Sequence, residues 1–534
     1  MFVKASSYLV AALLLLSPVS ECKTLPRQIP AQATGLKTIK SPGGVQIRYK
    51  EPKICETTPG VKSYSGYIDL DPTTHMYFYF LEARHNPSTA PLTLWLTGGP
   101  GKNGACKVTG GNGAVYNPYS WSNNSHVLYL SQPLGTGFSY STEAPGSLND
   151  FTGEYQPSSV DGEWPLANYT AEDNTQIVAV TAWHAVQAFL TNLPHLDSSV
   201  KSRSFNLWTE SYGGHYGPVF YDYFYGQNQA IKNGSIKGGY ELNFNTLGIG
   251  NGIIDWATQA FSYPKMATQN TYGIVSVNQT VYDYMQFALN NPNGCLALIE
   301  ECRESRVAYE SSLVTEVLCQ EALDMCQDNV QAPYYVYGGR GTYDIRVSAD
   351  APVPPVEPLS DYLNTAAIQR DLGVNLNWTA GNNDILFGFQ QSGDAVYINA
   401  MESLEDLLTK DVRVVLYYGD ADFICNWFGG EAVSLAVNYT HAEEFRAAGY
   451  APFLINGTEY GAVRERGNFS FVRVYESGHQ VPYFQPLAAQ VLFERSLNGL
   501  DISTGTLVAS ENYATNGTAQ ATHTESFVPL STSS

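Results

Sequence analysis

An α/β fold built on a parallel sheet is the class this sequence predicts, and three observations predict it. The β-prone run Ser204-Phe205-Asn206-Leu207-Trp208-Thr209-Glu210 ends abruptly at Ser211-Tyr212-Gly213-Gly214, and a helix-compatible aromatic segment follows from Val219 to Tyr225. Immediately upstream, between Asp173 and Leu193, the apolar residues Ile177, Val180, Ala182, Val186 and Phe189 recur at helical spacing. Short apolar runs at 92–96, 126–130, 414–418 and 471–475 each stop in a turn bearing Gly or Pro, as buried strands do. Helix, strand, sharp turn and helix in succession imply strands that run parallel.

The 534 residues suffice for one large α/β domain with an insertion, or for two domains, and 44% hydrophobic content can fill a large core. A net charge of −21 argues against nucleic acid and anionic membrane surfaces as partners. The acidic residues are scattered, so solubility is their expected role. Residues 1–22 read as a secretory signal peptide: Lys4 lies in a short n-region, an apolar run extends from Tyr8 to Leu16, and Ser-Pro-Val-Ser follows. That run is too short to span a bilayer, and no later stretch offers the ~20 apolar residues a membrane helix needs. The segment after Ser510 is rich in Thr, Ser and Ala without a hydrophobic end, which argues against a GPI signal. The expectation is a soluble protein, secreted or delivered to a vacuole.

Asn123, Asn168, Asn233, Asn278, Asn377, Asn438, Asn456, Asn468 and Asn516 all stand in N-x-S/T sequons, of which only some are expected to be used. Eight cysteines in an exported chain point to disulfides. Cys295 and Cys302 mirror the spacing of Cys319 and Cys326, which suggests a nested pair, Cys295 to Cys326 and Cys302 to Cys319. Spacing alone does not determine connectivity. Of Cys55, Cys106 and Cys425, at least one is expected to be a free thiol or to pair with Cys22 at the cleavage site.

In order along the chain, residues 23–45 read as an extended arm, and 65–84 as two strands joined in a hairpin. The run 92–96 delivers the turn Thr97-Gly98-Gly99-Pro100-Gly101, and 126–130 delivers Gln132-Pro133-Leu134-Gly135. Residues 143–168, rich in Gly, Pro, Ser and acids, read as a loop. Leu242 to Ile254 reads as a strand and loop. The first part of the core is thus 23–257. Residues 258–345, with four clustered cysteines and mixed helical patterns, interrupt the sheet elements and read as an inserted cap over the active site. After the proline-rich hinge 352–358 the core resumes, its second part spanning 346–500. Val414 to Tyr418 enters Gly419-Asp420-Ala421-Asp422, and Phe471 to Tyr475 enters Glu476-Ser477-Gly478-His479. A helix from Gln485 to Leu497 closes the domain, and 501–534 form a polar C-terminal tail.

A serine on a sharp strand-to-helix turn is forced out of the backbone profile, which makes Ser211 the candidate nucleophile even though Thr209 stands where G-x-S-x-G has its first glycine. Asp420 and Asp422 follow one predicted strand. His479 follows the next, alone among nine histidines in a Gly-His turn directly after such a strand. His215, at the start of the elbow helix, is assigned a packing or solvent role. The order Ser, Asp, His is that of α/β-hydrolases, so the fold expected is an α/β-hydrolase fold with a disulfide-bearing cap insertion.

Four blocks carry a closer resemblance. Trp-Leu-Thr-Gly-Gly-Pro-Gly (95–101), Thr-Glu-Ser-Tyr-Gly-Gly-His-Tyr-Gly-Pro (209–218), Gly-Asp-Ala-Asp-Phe-Ile-Cys-Asn-Trp (419–427) and Gly-His-Gln-Val-Pro-Tyr (478–483) resemble, in order, the signature blocks of the serine carboxypeptidases. The resemblance runs from about residue 50 to 500. Cys55-Glu56-Thr57-Thr58 and Trp208-Thr209-Glu210-Ser211 are similar to a secreted fungal branch. The resemblance implies Ser211, Asp422 and His479 as the catalytic triad and a structural role for Asp420. It implies an oxyanion hole from the N–H groups of Gly99 and Tyr212, such donors being worth ~3 kcal/mol each. It places Glu210, Thr97 and Cys425 at the substrate, and implies neither metal nor nucleotide.

Two departures bear on specificity. The family's asparagine before Gly-Gly-Pro-Gly is Thr97 here, and its Glu-Asn-Gly-Pro appears as Gly111-Asn112-Gly113-Ala114. In the family that asparagine and glutamate, with the equivalent of Glu210, hold the substrate's C-terminal carboxylate. The expected function is a secreted serine carboxypeptidase-like hydrolase that releases C-terminal amino acids through an acyl-enzyme on Ser211. The alternatives are an ester hydrolase or acyltransferase on a small metabolite, and a non-catalytic binding descendant. The partner expected is a peptide or small acyl substrate.

Overall fold

The computed structural model describes residues 32–530 apart from 42–43, 99–105, 110–112, 149–154, 158–161, 310–311 and 352–356. Its first strands are β1 (Lys37–Lys40) and β2 (Gln46–Lys50), followed by the expected hairpin, β3 (Ser63–Asp71) and β4 (Thr74–Leu81). Next come β5 (Leu92–Thr97), the pair β6 (Cys106–Thr109) and β7 (Gly113–Tyr116), and β8 (His126–Leu130). A second group is β9 (Thr142–Leu148), β10 (Tyr155–Pro157) and β11 (Glu163–Leu166). The remaining strands are β12 (Ser204–Glu210), β13 (Asn243–Gly250), β14 (Arg413–Gly419), β15 (Ala451–Ile455), β16 (Thr458–Arg466) and β17 (Phe469–Val474).

Twelve of them form one sheet in the order β1-β2-β3-β4-β8-β5-β12-β13-β14-β17-β16-β15. The six from β8 to β17 run parallel, and the strands on either flank are antiparallel. Alternation of side chains across the parallel strands feeds two cores. Leu94, Leu207, Ile249, Leu416 and Phe471 pack on one face, while Trp95, Trp208, Val415, Tyr417 and Val472 pack on the other. Every residue of β14 and β17 is therefore buried, including Arg413, which donates to Glu465 at 2.7 Å. This is the α/β-hydrolase arrangement that the order of turns predicts.

Helix α1 (Thr175–Leu196) starts where the Asn174 side chain accepts the Ile177 N–H at 2.9 Å. Its buried stripe is Val178, Ala182, Ala185, Val186 and Phe189, whereas Ile177 and Val180, also part of the spacing that marked the helix, are exposed. They flank the stripe, and the small Ala179 and Ala182 make the close contact instead. Helix α2 (Gly213–Lys232) follows the elbow and packs on α1. Between β13 and β14 the elements are helical from Trp256 to Thr409 and contribute no strand to the main sheet. Within that stretch α3 (Cys295–Tyr309) and α4 (Leu313–Cys326) are joined by the nested bridges Cys295–Cys326 and Cys302–Cys319, as expected. Cys55 is also disulfide-bonded, while Cys425 is a buried free thiol. The four-residue helix α5 (Asp394–Tyr397) and the closing helix α6 (Pro486–Leu497) complete the elements used below.

Three stretches differ from the sequence reading. The loop expected at 143–168 contains the three-stranded sheet β10-β9-β11. Main-chain pairing, which composition does not report, holds it together, and buried Trp164 anchors it by donating to the Gly146 carbonyl at 2.8 Å. The hairpin β15 and β16, absent from the sequence reading, extends the sheet beyond β17. The tail after residue 500 lies against that extension. Arg473 donates to the carbonyls of Ala521 at 2.6 Å and His523 at 2.7 Å, Arg464 to that of Ala519 at 2.8 Å, and the His523 ring stacks 3.7 Å from Tyr475. Among the described residues no helix is long and apolar enough to cross a membrane.

Candidate active site

Parallel register brings the ends of five strands level. Thr97 pairs with Glu210, Glu210 with Gly250, Gly250 with Tyr417, and Gly419 with Val474. The turns leaving these ends carry Gly98, Ser211, Asn251, Asp422 and His479, so residues remote in sequence meet on one edge.

Ser211 has φ 64, the left-handed region that side chains other than glycine rarely enter, and this strained turn lifts it clear of the sheet. The turn is held by Ser211 N–H donating to the Gly250 carbonyl at 3.0 Å, and by Ile253 and Gly214 N–H donating to the Ser211 carbonyl at 3.0 and 2.9 Å. A Cβ on Gly214 would lie 2.3 Å from the Ile253 oxygen, so the tight turn requires glycine there. Thr209, in place of the usual first glycine, is buried, and its hydroxyl donates to the Gly213 carbonyl at 2.8 Å. The departure from the motif thus braces the elbow.

His479 Nδ1 lies 2.8 Å from Asp422 Oδ2. The same carboxylate oxygen accepts from Asn251 Nδ2 at 2.9 Å and the Cys425 N–H at 3.2 Å, while Oδ1 accepts from the Ile424 N–H at 3.2 Å. Burial disfavours a charged imidazole, but the Asp422 carboxylate and Cys425 outweigh it, and His479 titrates well above the ordinary histidine range. Burial pushes the Cys425 thiol pKa up, against the lowering influence of His479 and Ser211 beside it. Asp422, Cys425 and His479 bring their side-chain tips within 4.8 Å of one another, and Ser211 acts on the same thiol. The His479 N–H donates to the Tyr343 carbonyl at 2.8 Å, and the Tyr343 ring lies 5.0 Å away.

The other candidates sort by position. Asp420 is buried behind the site, accepting from Tyr272 at 2.8 Å with Arg473 3.6 Å away, and burial raises its carboxyl to about 6 against the pull of that arginine. His215 is buried, its ring nitrogens 2.7 and 3.2 Å from the carbonyls of Ile253 and Ala395, a packing role. Glu210 is buried at the end of β12, and its charge raises the pKa of Tyr417 after burial has done so. Gly99 and Gly111 lie outside the described residues, and of Thr97 only the backbone is described. The adjoining Gly98 is close-packed: a Cβ there would fall 2.5 Å from the Tyr212 nitrogen and 2.9 Å from Ser211 Cβ. A side chain at Gly98 would therefore fill the space before the Tyr212 nitrogen, at the N-terminus of α2 where the helix dipole favours negative charge.

Among the described residues, Asp422, Cys425 and His479 form the one group whose ligand atoms lie within 4.8 Å of one another, as a metal site requires. Of those atoms, His479 Nδ1 and Asp422 Oδ2 already contact each other at 2.8 Å. The residue that sequence reasoning missed is Asn251. It has φ 41, and its side-chain oxygen Oδ1 accepts the Gly419 N–H at 3.0 Å while its Nδ2 donates to Asp422. The signal available was an asparagine between two glycines directly after a strand.

A family model described as serine carboxypeptidase matches residues 52–499. Carboxypeptidase S1 homolog B of Arthroderma otae is 38% identical over 531 residues, covering 90% of this chain and 80% of that protein. Carboxypeptidase S1 of Penicillium janthinellum is 34% identical over 464 residues, covering 85% of this chain and 99% of its own. The crystal structure of Kex1(delta)p, a prohormone-processing carboxypeptidase from Saccharomyces cerevisiae, superposes with a TM-score of 0.63 at 20% identity, over 84% of this chain and 95% of that one, a likeness of fold. The family match encloses the elbow, both carboxylates and the histidine turn, and so the chain belongs to the serine carboxypeptidase family.

Proposed function

We propose that this chain is a secreted serine carboxypeptidase that releases C-terminal amino acids through an acyl-enzyme on Ser211. The observation that carries the reading is the 2.8 Å His479–Asp422 contact in a cluster that also holds Ser211, itself raised on a left-handed turn. Ser211 Oγ attacks the last peptide carbonyl as His479 takes its proton. The carbonyl oxygen turns toward the N–H groups of Tyr212 and Gly99. His479 then returns the proton to the departing amine, and water, activated by the same imidazole, hydrolyses the acyl-enzyme. Asp422 holds the imidazole in register and stabilises its charged form. Residues 258–345 form a cap over the site, a reading supported by Tyr343 against His479.

Register supports Thr97 and Glu210 as neighbours where a terminal carboxylate would sit. A glutamate donates to that carboxylate only when protonated, and Thr97 offers one short donor where an asparagine offers two with longer reach. Peptide turnover is therefore expected to be weak relative to ester turnover, and the ratio of peptide to ester turnover to rise toward acidic pH. The test is kcat/KM for a blocked dipeptide against its ester, and against the same dipeptide with its terminus amidated. Thr97→Asn with Gly111→Glu is expected to raise the peptide rate, most at acidic pH. Efficient release from ordinary peptides would show that Thr97 and Gly111 do not limit carboxylate recognition, and equal turnover of the amidated peptide would overturn the exopeptidase assignment.

Passage through the secretory pathway leaves a readable trace at the sequons. Asn168, Asn233, Asn278, Asn438, Asn456 and Asn516 are exposed. The amide nitrogens of Asn123 and Asn468 donate to main-chain carbonyls of the fold, at 2.8 Å for Pro118 and at 3.1 and 3.0 Å for Leu408 and Val412. That of Asn377 is buried against Asn364. Glycopeptide mapping is expected to find glycans only within the first six. A glycan on Asn123, Asn377 or Asn468 would contradict these side-chain placements, and an unglycosylated native protein would contradict secretion.

A further inference from the structure

Behind the nucleophile lies a carboxylate that the mechanism above does not use. Asp394 is fully buried, and its three donors are the Thr175 N–H at 2.8 Å, the Thr175 hydroxyl at 2.6 Å and the Tyr212 hydroxyl at 2.6 Å. Tyr212 is the residue after Ser211. Its ring stacks on His215, with centroids 4.8 Å apart, and meets Phe389 edge-on at 5.8 Å. At the other end of the same residue is the main-chain nitrogen that faces the space left open by Gly98. A side chain fixed at its tip and along its ring leaves its own peptide group little freedom to rotate.

Asp394 is itself held from the helical region between β13 and β14. Gly393 before it has φ 69 and lies so close to α4 that a Cβ would fall 2.3 Å from Cys319 Cβ, at one of the nested bridges. Arg303 and Arg306 of α3 donate to the carbonyls of Val396 and Tyr397, each at 2.9 Å, bracing α5 from behind.

We propose that Asp394 is a positioning residue for the oxyanion hole: through the Tyr212 hydroxyl it sets the direction of the Tyr212 N–H, and the disulfide-linked helices α3 and α4 set Asp394. The inference rests on the acyl-enzyme reading. A carboxylate accepts all three donors, whereas an amide must turn one of its own donors toward them. Because the oxyanion forms only in the transition state, misdirecting its donor lowers kcat and leaves ground-state binding alone.

The experiment compares Tyr212→Phe, Asp394→Asn and the double variant in the full chain. Ester kcat and KM, and the rate of phosphonylation by a fluorophosphonate, are measured for each. Tyr212→Phe keeps the ring and removes one hydroxyl, so it carries the test even if Asp394→Asn does not fold. The expected result is a fall in kcat of about 10- to 100-fold, the scale set by an ångström-level misplacement. KM stays within about twofold, and the pH at which His479 titrates is unchanged. Where the double variant folds, it is expected to lose no more than the worse single one. A Tyr212→Phe enzyme with wild-type kcat and labelling rate overturns the proposal, as does a loss confined to KM or a double variant whose losses multiply. If instead the unmodified chain takes up no label that depends on Ser211, the acyl-enzyme reading fails and this proposal falls with it.

Discussion

Ser211→Ala is expected to lower kcat by about 10⁶-fold, the scale seen when a triad nucleophile or its base is removed, and to abolish labelling by a fluorophosphonate. The size follows from position. Ser211 and His479 both act on the buried Cys425 thiol between them, and among the described residues no other serine stands on a left-handed turn. Stability offers little alternative explanation for a loss of this size. Alanine occupies the φ 64 conformation at about the same cost as serine, since both carry a Cβ, and the main-chain bonds to Gly250, Ile253 and Gly214 remain. Thermal unfolding of the variant should therefore match the parent, and a variant that still takes up label would remove Ser211 from the reaction. His479→Ala is expected to fall by a similar factor, because serine and imidazole act as one unit and their losses do not add.

Asp422→Asn is expected to reduce kcat by about 10⁴-fold and to move the acid limb of the pH profile to lower pH. Asp422 Oδ2 accepts from the Asn251 amide and the Cys425 N–H and lies 2.8 Å from His479 Nδ1. An amide placed there must either present its own donor to that group or turn it toward Ile424. The His479 tautomer is then no longer imposed. The direction of the pH effect follows from the two opposing influences on the imidazole. Burial lowers its pKa and Asp422 raises it, with the balance well above 6.5. Activity requires the neutral base, so in the parent kcat/KM falls as pH drops through that raised pKa. Removing the carboxylate leaves burial as the larger influence, the charged form is disfavoured, and the inflection moves down. The measurement is kcat/KM for an ester across pH in both proteins. An acid limb that stays in place would show that another group holds the imidazole's pKa up.

The three triad candidates stood out in the sequence because each sits in a turn directly after a strand, and strand, turn and following helix are written close together along the chain. Ser211 with its two glycines, Asp422 before Phe-Ile-Cys-Asn-Trp, and His479 in its Gly-His turn are local patterns. The nested cysteines were readable for the same reason, since α3 and α4 are neighbours along the chain. Of the apolar residues whose spacing marked α1, Ala182, Val186 and Phe189 are buried and Ile177 and Val180 are exposed, because a helix rich in alanine offers several stripes and only the surface it meets selects one.

What the tertiary structure alone decided is how the turns meet. Asn251 reaches Asp422 across 171 residues, and Tyr212 reaches Asp394 across 182. Neither pairing has a local sequence signature. Each depends on register between parallel strands and on how far the helical stretch between β13 and β14 reaches back over the sheet edge. The docking of residues 519–523 on Arg464 and Arg473 and the sheet formed by β9, β10 and β11 were hidden in the same way. Both rest on main-chain carbonyls and N–H groups, which every residue carries alike. A sequence records side chains, so it pointed to Ser211, Asp422 and His479 as the candidates for the chemistry, while the partners of those groups were decided only when register and packing brought distant backbone together.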